Sequence, residues 1–315
     1  MGQIQLRHNG PVTAITAAEI TERFLQAADV KEASRQTYGR QLSQLFRYAA
    51  EKGVSITTMD RPFLIQYKAD CLATLTPATV AGYVQVMRKF FSWLEQETSG
   101  MIQNIAAGIK TPKQRDQFTR KAIGREKAGD LLRSIQNNTL EGKRTAALVQ
   151  LMMRTGIRTI EAARANIEDI ETTDGKRILR VHGKGRDDKS EFVVLTDAAY
   201  KPLQEYLKSR GRTTGKTPLF IGHGNKNNGQ RLTTRTISGI VKAAMISAGI
   251  DGREYTAHSL RHTAATSLMK AGRSLYETQL VLRHRSPVTT QRYLKMFEEE
   301  HRLENAPEAA LDSYF

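Results

Sequence analysis

The chain has a single cysteine, Cys71, in 315 residues. Internal disulfides are excluded, and such cysteine usage fits a reducing cytosol. No apolar run approaches the roughly 18 residues of a membrane-spanning helix. The N-terminus, MGQIQLRHNGP, lacks the apolar core of a signal peptide. It also lacks the Ser or Thr at the sixth position that a myristoylation site needs. No glycine-rich loop of the phosphate-cradling Walker type is present, so nucleotide hydrolysis has no support. Internal repeats and low-complexity tracts are missing too.

What the chain has in excess is positive charge. Its 48 Lys and Arg against 32 Asp and Glu give a net charge of +16, with an ordinary 39% apolar content. That balance favours a polyanionic partner, nucleic acid or an anionic membrane surface. Taken with the absences, it favours a cytosolic DNA or RNA binder and no membrane partner. The charge is unevenly placed: residues 1–109 carry 11 basic and 9 acidic residues, and residues 110–315 carry 37 and 23. The basic stretch opens at residues 110–127, with seven basic and two acidic residues. A charge run by itself is usually a solvated face. Here Thr111-Pro112 also breaks the helical pattern, so the stretch reads as an interdomain linker, residues 110–118, lying on phosphates.

Hydrophobic spacing makes residues 1–109 all-helical, a small bundle of four helices. One covers about 17–28, with Ile20, Phe24, Leu25 and Ala28 on one face. A second runs from near Ser34 to a Gly53 cap. A third follows Asp60, with Pro62 in its first turn. The fourth starts at the Thr76 cap and Pro77, and carries Val80, Tyr83, Val84, Met87, Phe91 and Leu94. Residues 119–315 read as a second domain. Helices are expected near 125–136, 143–154 and 159–165. Three strands follow, at 167–172, 177–182 and 190–195, with Asp174-Gly175 as a hairpin turn between the first two. Helices resume at about 197–209, 233–248 and 257–271, and a last one opens at Ser286-Pro287. The fold class is thus mainly α with a small antiparallel β-sheet.

Six residues in this second region form a chemical set: Arg158, Lys184, His258, Arg261, His284 and Tyr293. Arg158 lies just past a helix-ending glycine, and alone would be an ordinary surface arginine. Lys184 sits in a Gly-Lys-Gly hairpin, a common exposed turn whose glycines also allow a ligand close to the backbone. His258 and Arg261 are three apart in the first turns of one helix, where free N–H groups favour an anion. His262 lies four residues after His258, a spacing that also suits a metal. That reading needs a third ligand, and no Glu follows His258 as in a zinc-protease motif. Tyr293, on an amphipathic helix, is by default a core residue. Its phenol titrates near 10 and becomes a nucleophile only beside cations or a base, and this chain supplies both.

In order and spacing these residues resemble the tyrosine recombinases, the site-specific recombinase and integrase family. The matches are TGIR with Glu161 three residues on, GKG in a hairpin, HSLRH, and a His followed nine residues later by Tyr. The resemblance covers about residues 15–300. Within it, SRQTYGRQLSQLFRYA and TVAGYVQVMRKFFSWL look like the family's helical core-binding, SAM-like domain. It implies an N-terminal core-binding bundle at 1–109, the linker, and a catalytic domain at 119–315 ending in a tail of about 302–315.

The resemblance implies roles as well. Tyr293 would attack the scissile phosphate and leave a 3′-phosphotyrosine. Arg158 and Arg261 would bind the non-bridging oxygens. Lys184 would protonate the leaving 5′-oxygen, His258 would serve as general base, and His284 would donate a hydrogen bond to the phosphate. Glu161 would support the framework. No metal or nucleotide cofactor is implied, because the covalent intermediate conserves the phosphodiester energy. Lys110, Lys113, Arg115, Arg120, Lys121, Arg283 and Arg285 are the expected DNA contacts. The partners implied are duplex DNA with a specific site, a homotetramer on synapsed DNA, and accessory proteins. The place of action would be the cytoplasm, at the nucleoid.

Two features stand apart. The family usually has Gly before the second His, and here Arg283 occupies that place, able to extend the DNA surface or to disturb His284. The acidic tail carries Leu311, Tyr314 and Phe315, which suit docking on a neighbouring protomer in a ring. The absence of a separate domain before residue 15 favours a simple Xer-like or Cre-like architecture over an integrase with an arm-binding domain. Two other functions use the same residues: a type IB topoisomerase-like DNA-relaxing enzyme, and a catalytically inactive DNA-binding relative.

Overall fold

A computed structural model describes residues 4–6, 13–113, 120–183, 188–211, 216–224 and 228–315. Two compact units make up the chain, Met1–Arg115 and Asp116–Phe315. Among the described residues, no helix is long and apolar enough to cross a membrane.

The first unit opens with a two-stranded antiparallel sheet, β1 (Ile4–Leu6) on β2 (Thr13–Ile15), in which Ile4 pairs with Ile15. The all-helical reading of residues 1–109 is corrected here. Three-residue strands are too short for alternation to register, although Asn9-Gly10 lies between them in sequence. Four helices follow: α1 (Ala17–Ala27), α2 (Glu32–Glu51), α3 (Arg61–Thr74) and α4 (Pro77–Glu97). Their starts are chemically marked. Thr16 and Glu19 close a capping box on α1, and the Asp60 carboxylate accepts from the Phe63 N–H at 2.9 Å. Thr76 caps α4, with Pro77 in its first turn.

The central helix is α4, which buries Val80, Val84, Met87, Phe90, Phe91 and Leu94 against Ile20, Phe24, Leu42, Leu45 and Leu64. Full burial of each such side chain stabilises the unit by about 1.5–3 kcal/mol. Phe24 and Phe90 meet edge to face, with centroids 5.5 Å apart, the geometry that the ring quadrupoles prefer.

The second unit begins with α5 (Arg125–Ser134), α6 (Leu140–Thr155) and α7 (Thr159–Arg164). A single 3-10 turn, Ile167–Asp169, leads into β3 (Ile170–Thr173), β4 (Lys176–Val181) and β5 (Glu191–Val194). The sheet is antiparallel in the order β3-β4-β5, with Ile170 opposite Leu179 and Val181 opposite Glu191. Its first strand starts later than the sequence pattern suggests. The Asn166 N–H donates to the Asp169 carboxylate at 2.8 Å and winds the backbone into the turn first. Asp174 (φ 49°) and Gly175 (φ 70°) form the tight turn between β3 and β4, both in the left-handed region that a type I′ hairpin requires.

Helices α8 (Asp197–Arg210), α9 (Thr234–Ser247), α10 (Ala257–Lys270), α11 (Leu275–Leu282) and α12 (Pro287–Asn305) complete the unit, followed by a 3-10 segment, Pro307–Ser313. Helix α11 was not expected from the sequence. Its apolar residues do not share one face: Leu282 is buried, whereas Tyr276, Leu280 and Val281 are exposed. The core gathers Leu148, Leu151 and Met152 of α6, Leu179 and Val181 of β4, Leu203 and Tyr206 of α8, Val241 of α9 and Leu260 of α10. A smaller cluster, Ala265, Met269, Leu282 and Tyr293, ties α10, α11 and α12 together.

Candidate active site

The site is built around the C-terminal ends of α6 and α11. Gly156 terminates α6 in the left-handed region (φ 61°). The Gly156 carbonyl accepts a hydrogen bond from the Arg261 guanidinium of α10, which also donates to the carbonyl of Leu282 at the end of α11. Arg261 is 2% exposed. Burial, together with the nearby cations Arg158 and Arg283, pushes its guanidinium down to about 9, so it stays charged at neutral pH.

Arg158 is the N-cap of α7. Its backbone N–H donates to Glu161 Oε2 at 2.8 Å, and its Nη1 donates to Oε1 at 2.5 Å. Its Nη2 donates to the Arg283 carbonyl at 3.1 Å. The two guanidinium groups therefore hang from consecutive carbonyls, Leu282 and Arg283. Glu161 is wholly buried, and burial acts to raise its carboxyl. The Arg283 charge, the Arg158 backbone N–H and the Arg158 guanidinium outweigh that effect and hold the carboxyl below the usual carboxylate range.

The aromatic and imidazole rings form a row. His258 and His262 meet edge to face at 4.9 Å, His262 tilts against Tyr293 at 5.1 Å, and His284 stacks on Tyr293 at 6.0 Å with 7° between planes. His258 is solvent-exposed. The protein packed about its ring still desolvates it, and with Arg261, Arg158 and Arg120 lowers its pKa, which favours the neutral imidazole that a base requires. Burial first, then His258 and Arg261, push His262 down to about 3. Burial and the three arginines 261, 158 and 283, with His258, push His284 down to about 3 as well. The His284 Nδ1 lies 2.8 Å from the buried hydroxyl of Thr290. When Thr290 donates that bond, the imidazole proton sits on Nε2, leaving a donor free for an anion.

Tyr293 is 2% exposed. Burial raises its phenol to about 12 against the opposing pull of Arg261 and Arg158. The default reading as a core residue and the reading as a site residue thus describe the same side chain: Tyr293 packs in the α10-α11-α12 cluster while facing the imidazoles.

Not every expected residue joins this group. Lys184 and Arg115 lie outside the described residues. Lys110 and Lys113 are exposed in the first unit, and Arg120, Lys121 and Arg285 are exposed in the second. Arg120 also donates to the Arg253 carbonyl, and Lys121 lies 3.9 Å from Glu254. Arg283 is placed differently from these. Its side chain is 5% exposed and turns inward, where Nη2 meets Glu161 Oε2 at 2.7 Å, because the buried carboxylate attracts the cation.

Sequence reasoning gave no role to Thr290, to the Gly156 and Leu282 carbonyls, or to His262 beyond a possible metal. Thr290 could have been found, since it lies three residues before Tyr293 on the same helix face. The carbonyls carry no sequence signal. Among the described residues, no group of three or more His, Cys, Asp or Glu could hold a metal ion.

Residues 123–300 match the Phage integrase family, and residues 22–98 match the phage integrase N-terminal SAM-like domain. The tyrosine recombinase XerC of Pelobacter propionicus is 32% identical over 259 residues, 81% of this chain and 82% of that protein. The XerC of Corynebacterium glutamicum is 34% identical over 221 residues, 69% of this chain and 67% of that protein. In fold the chain is similar to the XerH site-specific recombinase bound to a palindromic difH substrate, with TM-score 0.76, 22% identity, and coverage of 93% of this chain and 85% of that one. It is also similar to a lambda integrase tetramer bound to a Holliday junction, with TM-score 0.67 at 14% identity, covering 89% and 77%. With its motifs in order and both domain types matched, the chain belongs to the phage integrase family and is a tyrosine recombinase.

Proposed function

We propose that this recombinase breaks and rejoins duplex DNA at a specific site through a bond between Tyr293 and the 3′-phosphate. The observation that carries the reading is the anchoring of Arg158 and Arg261 on the consecutive carbonyls of Arg283 and Leu282, in the same cluster of elements as Tyr293. Two fixed planar cations suit the non-bridging oxygens of one phosphate, whose charge grows in the transition state. The phenol oxygen of Tyr293 bonds to phosphorus, and the bond from phosphorus to the 5′-oxygen breaks. His258 takes the phenol proton, Lys184 gives a proton to the 5′-oxygen, and His284 donates to the phosphate. A 5′-hydroxyl from the partner duplex then reverses the step through a Holliday junction. The phosphodiester energy stays in the covalent bond, so the step requires no nucleotide.

The protein works as a homotetramer on two synapsed duplexes, in the cytoplasm at the nucleoid. The exposed apolar side chains of Leu311, Tyr314 and Phe315 support a tail that seats on a neighbouring copy. A chain lacking residues 304–315 is expected to bind DNA and fail at synapsis; full recombination by that chain would remove the tail from the assembly.

The test is denaturing capture of covalent adducts from fragmented genomic DNA, followed by sequencing of the bound ends. The wild type is expected to give adducts converging on one sequence, and Tyr293→Phe none. An adduct formed by Tyr293→Phe would refute the nucleophile. Adducts scattered over unrelated sequences would instead support a DNA-relaxing enzyme.

A further inference from the structure

Position 283 is the C-cap of α11 and holds φ 54°, ψ 50°. A side-chain-bearing residue is disfavoured in that left-handed conformation by about 1–2 kcal/mol, which is why glycine is common at such caps. An arginine there requires a compensating interaction, and its guanidinium makes two. Nη2 donates to Glu161 Oε2 at 2.7 Å, and Nη1 to the Val281 carbonyl at 2.8 Å. The ion pair is closed to water, with side-chain exposures of 5% and 0%. At the same time the Arg283 carbonyl accepts from Arg158 Nη2 at 3.1 Å. Arg283 thus grips both members of the Arg158–Glu161 pair, the carboxylate through its side chain and the guanidinium through its backbone.

The charges sharpen the point. With Arg158 alone, Glu161 would form a neutral pair and spend its whole charge on the cation meant for phosphate. With Arg283 present, that carboxylate is shared by two guanidinium groups, so less of its charge falls on Arg158; Glu191 offsets part of the Arg283 charge, and Arg261 leaves the whole cluster net positive. Glu161 pairs with Arg158 and with Arg283, and its charge also acts on Arg261 of α10; the charge of Glu191 on β5 acts on Arg283, which in turn acts on His284.

We infer that Arg283 is a positioning residue for phosphoryl transfer: it clamps Glu161 and fixes the Arg158 guanidinium toward the scissile phosphate while keeping that cation under-neutralised. The inference rests on the recombinase reading above.

Arg283→Met removes the cation and keeps much of the stem. Arg283→Gly removes the side chain and relaxes the backbone, so it guards against simple loss of folding. Arg283→Lys keeps the charge without the fork. Each is compared with wild type in single-turnover adduct formation on a captured site, in affinity for the same duplex, and on that duplex with a neutral methylphosphonate at the scissile position. Arg283→Met and Arg283→Gly are expected to bind DNA as wild type does and to cleave about 10²-fold slower, the scale of a misplaced catalytic group. Arg283→Lys is expected to recover part of the rate. On the methylphosphonate, which lacks the charge that Arg158 neutralises, the gap between wild type and Arg283→Met should close. Equal rates for wild type and both truncations overturn the inference, and so does a gap that the methylphosphonate leaves unchanged. A wild type that forms no adduct on any captured DNA overturns the recombinase reading itself, and the inference with it.

Discussion

The Gly156 carbonyl holds the buried guanidinium of Arg261, although 105 residues separate the two in the chain. A side chain at 156 would also disturb the second anchor. A Cβ built there would lie 2.6 Å from Leu282 Cδ2, and Leu282 supplies the other carbonyl to Arg261.

Gly156→Ala is therefore expected to weaken both folding and cleavage. The left-handed backbone costs about 1–2 kcal/mol, and the forced contact adds about 1–3 kcal/mol. Urea unfolding of the variant should show that loss, and adduct formation should slow further than the folded fraction accounts for. A variant as stable and as fast as wild type would show that Leu282 moves aside without shifting Arg261.

The Thr290 hydroxyl and His284 Nδ1 are 2.8 Å apart, and Thr290 is fully buried. Thr290→Val keeps the shape and removes the hydroxyl, leaving the Nδ1 without that partner. The expected loss is about 1–3 kcal/mol of stability. A defect of about 1.4 kcal/mol in the transition state would slow cleavage about tenfold. Thr290→Ser restores a hydroxyl and should recover the rate. Val and Ser variants cleaving alike would separate His284's orientation from Thr290.

His258 supplies a pH prediction. Its pKa is lowered from the ordinary 6.5, first by the protein that desolvates its ring and then by Arg261, Arg158 and Arg120. A base with a lowered pKa stays neutral as pH falls past its ordinary value, and its activity is lost only as pH falls through the lowered one. The acid limb of cleavage should accordingly lie below pH 6.5. Arg120→Ala removes one of the cations, so the limb should move to higher pH when rates are measured at saturating DNA. A limb that stays in place in that variant would assign the titrating base elsewhere.

Much of this organisation was legible in the chain because it is local. Asp60 with Pro62, and Thr76 with Pro77, announce helix starts through groups in or beside the first turn. Gly156 marks a helix end and Asp174-Gly175 a hairpin, because few residues accept positive φ. Helix α11 escaped notice despite its own marker, the Ser274–Glu277 capping box, because its apolar residues point to several sides. The direction of Arg283 was unreadable for another reason. Nothing near it in sequence says that a buried carboxylate 122 residues earlier waits for it.

By itself the sequence determined the polyanionic partner, the mostly helical fold class and the identities of the residues fit for phosphate chemistry, since charge balance, periodicity and side-chain type are properties of the chain alone. Only the tertiary structure decided how those residues are held. It set Arg158 and Arg261 on the carbonyls that end α11, stacked His284 on a buried Tyr293, and turned Arg283 from the surface onto Glu161. The physical reason is burial. A guanidinium or carboxylate removed from water must find its partners within the fold, and those partners come from whichever elements packing has brought beside it.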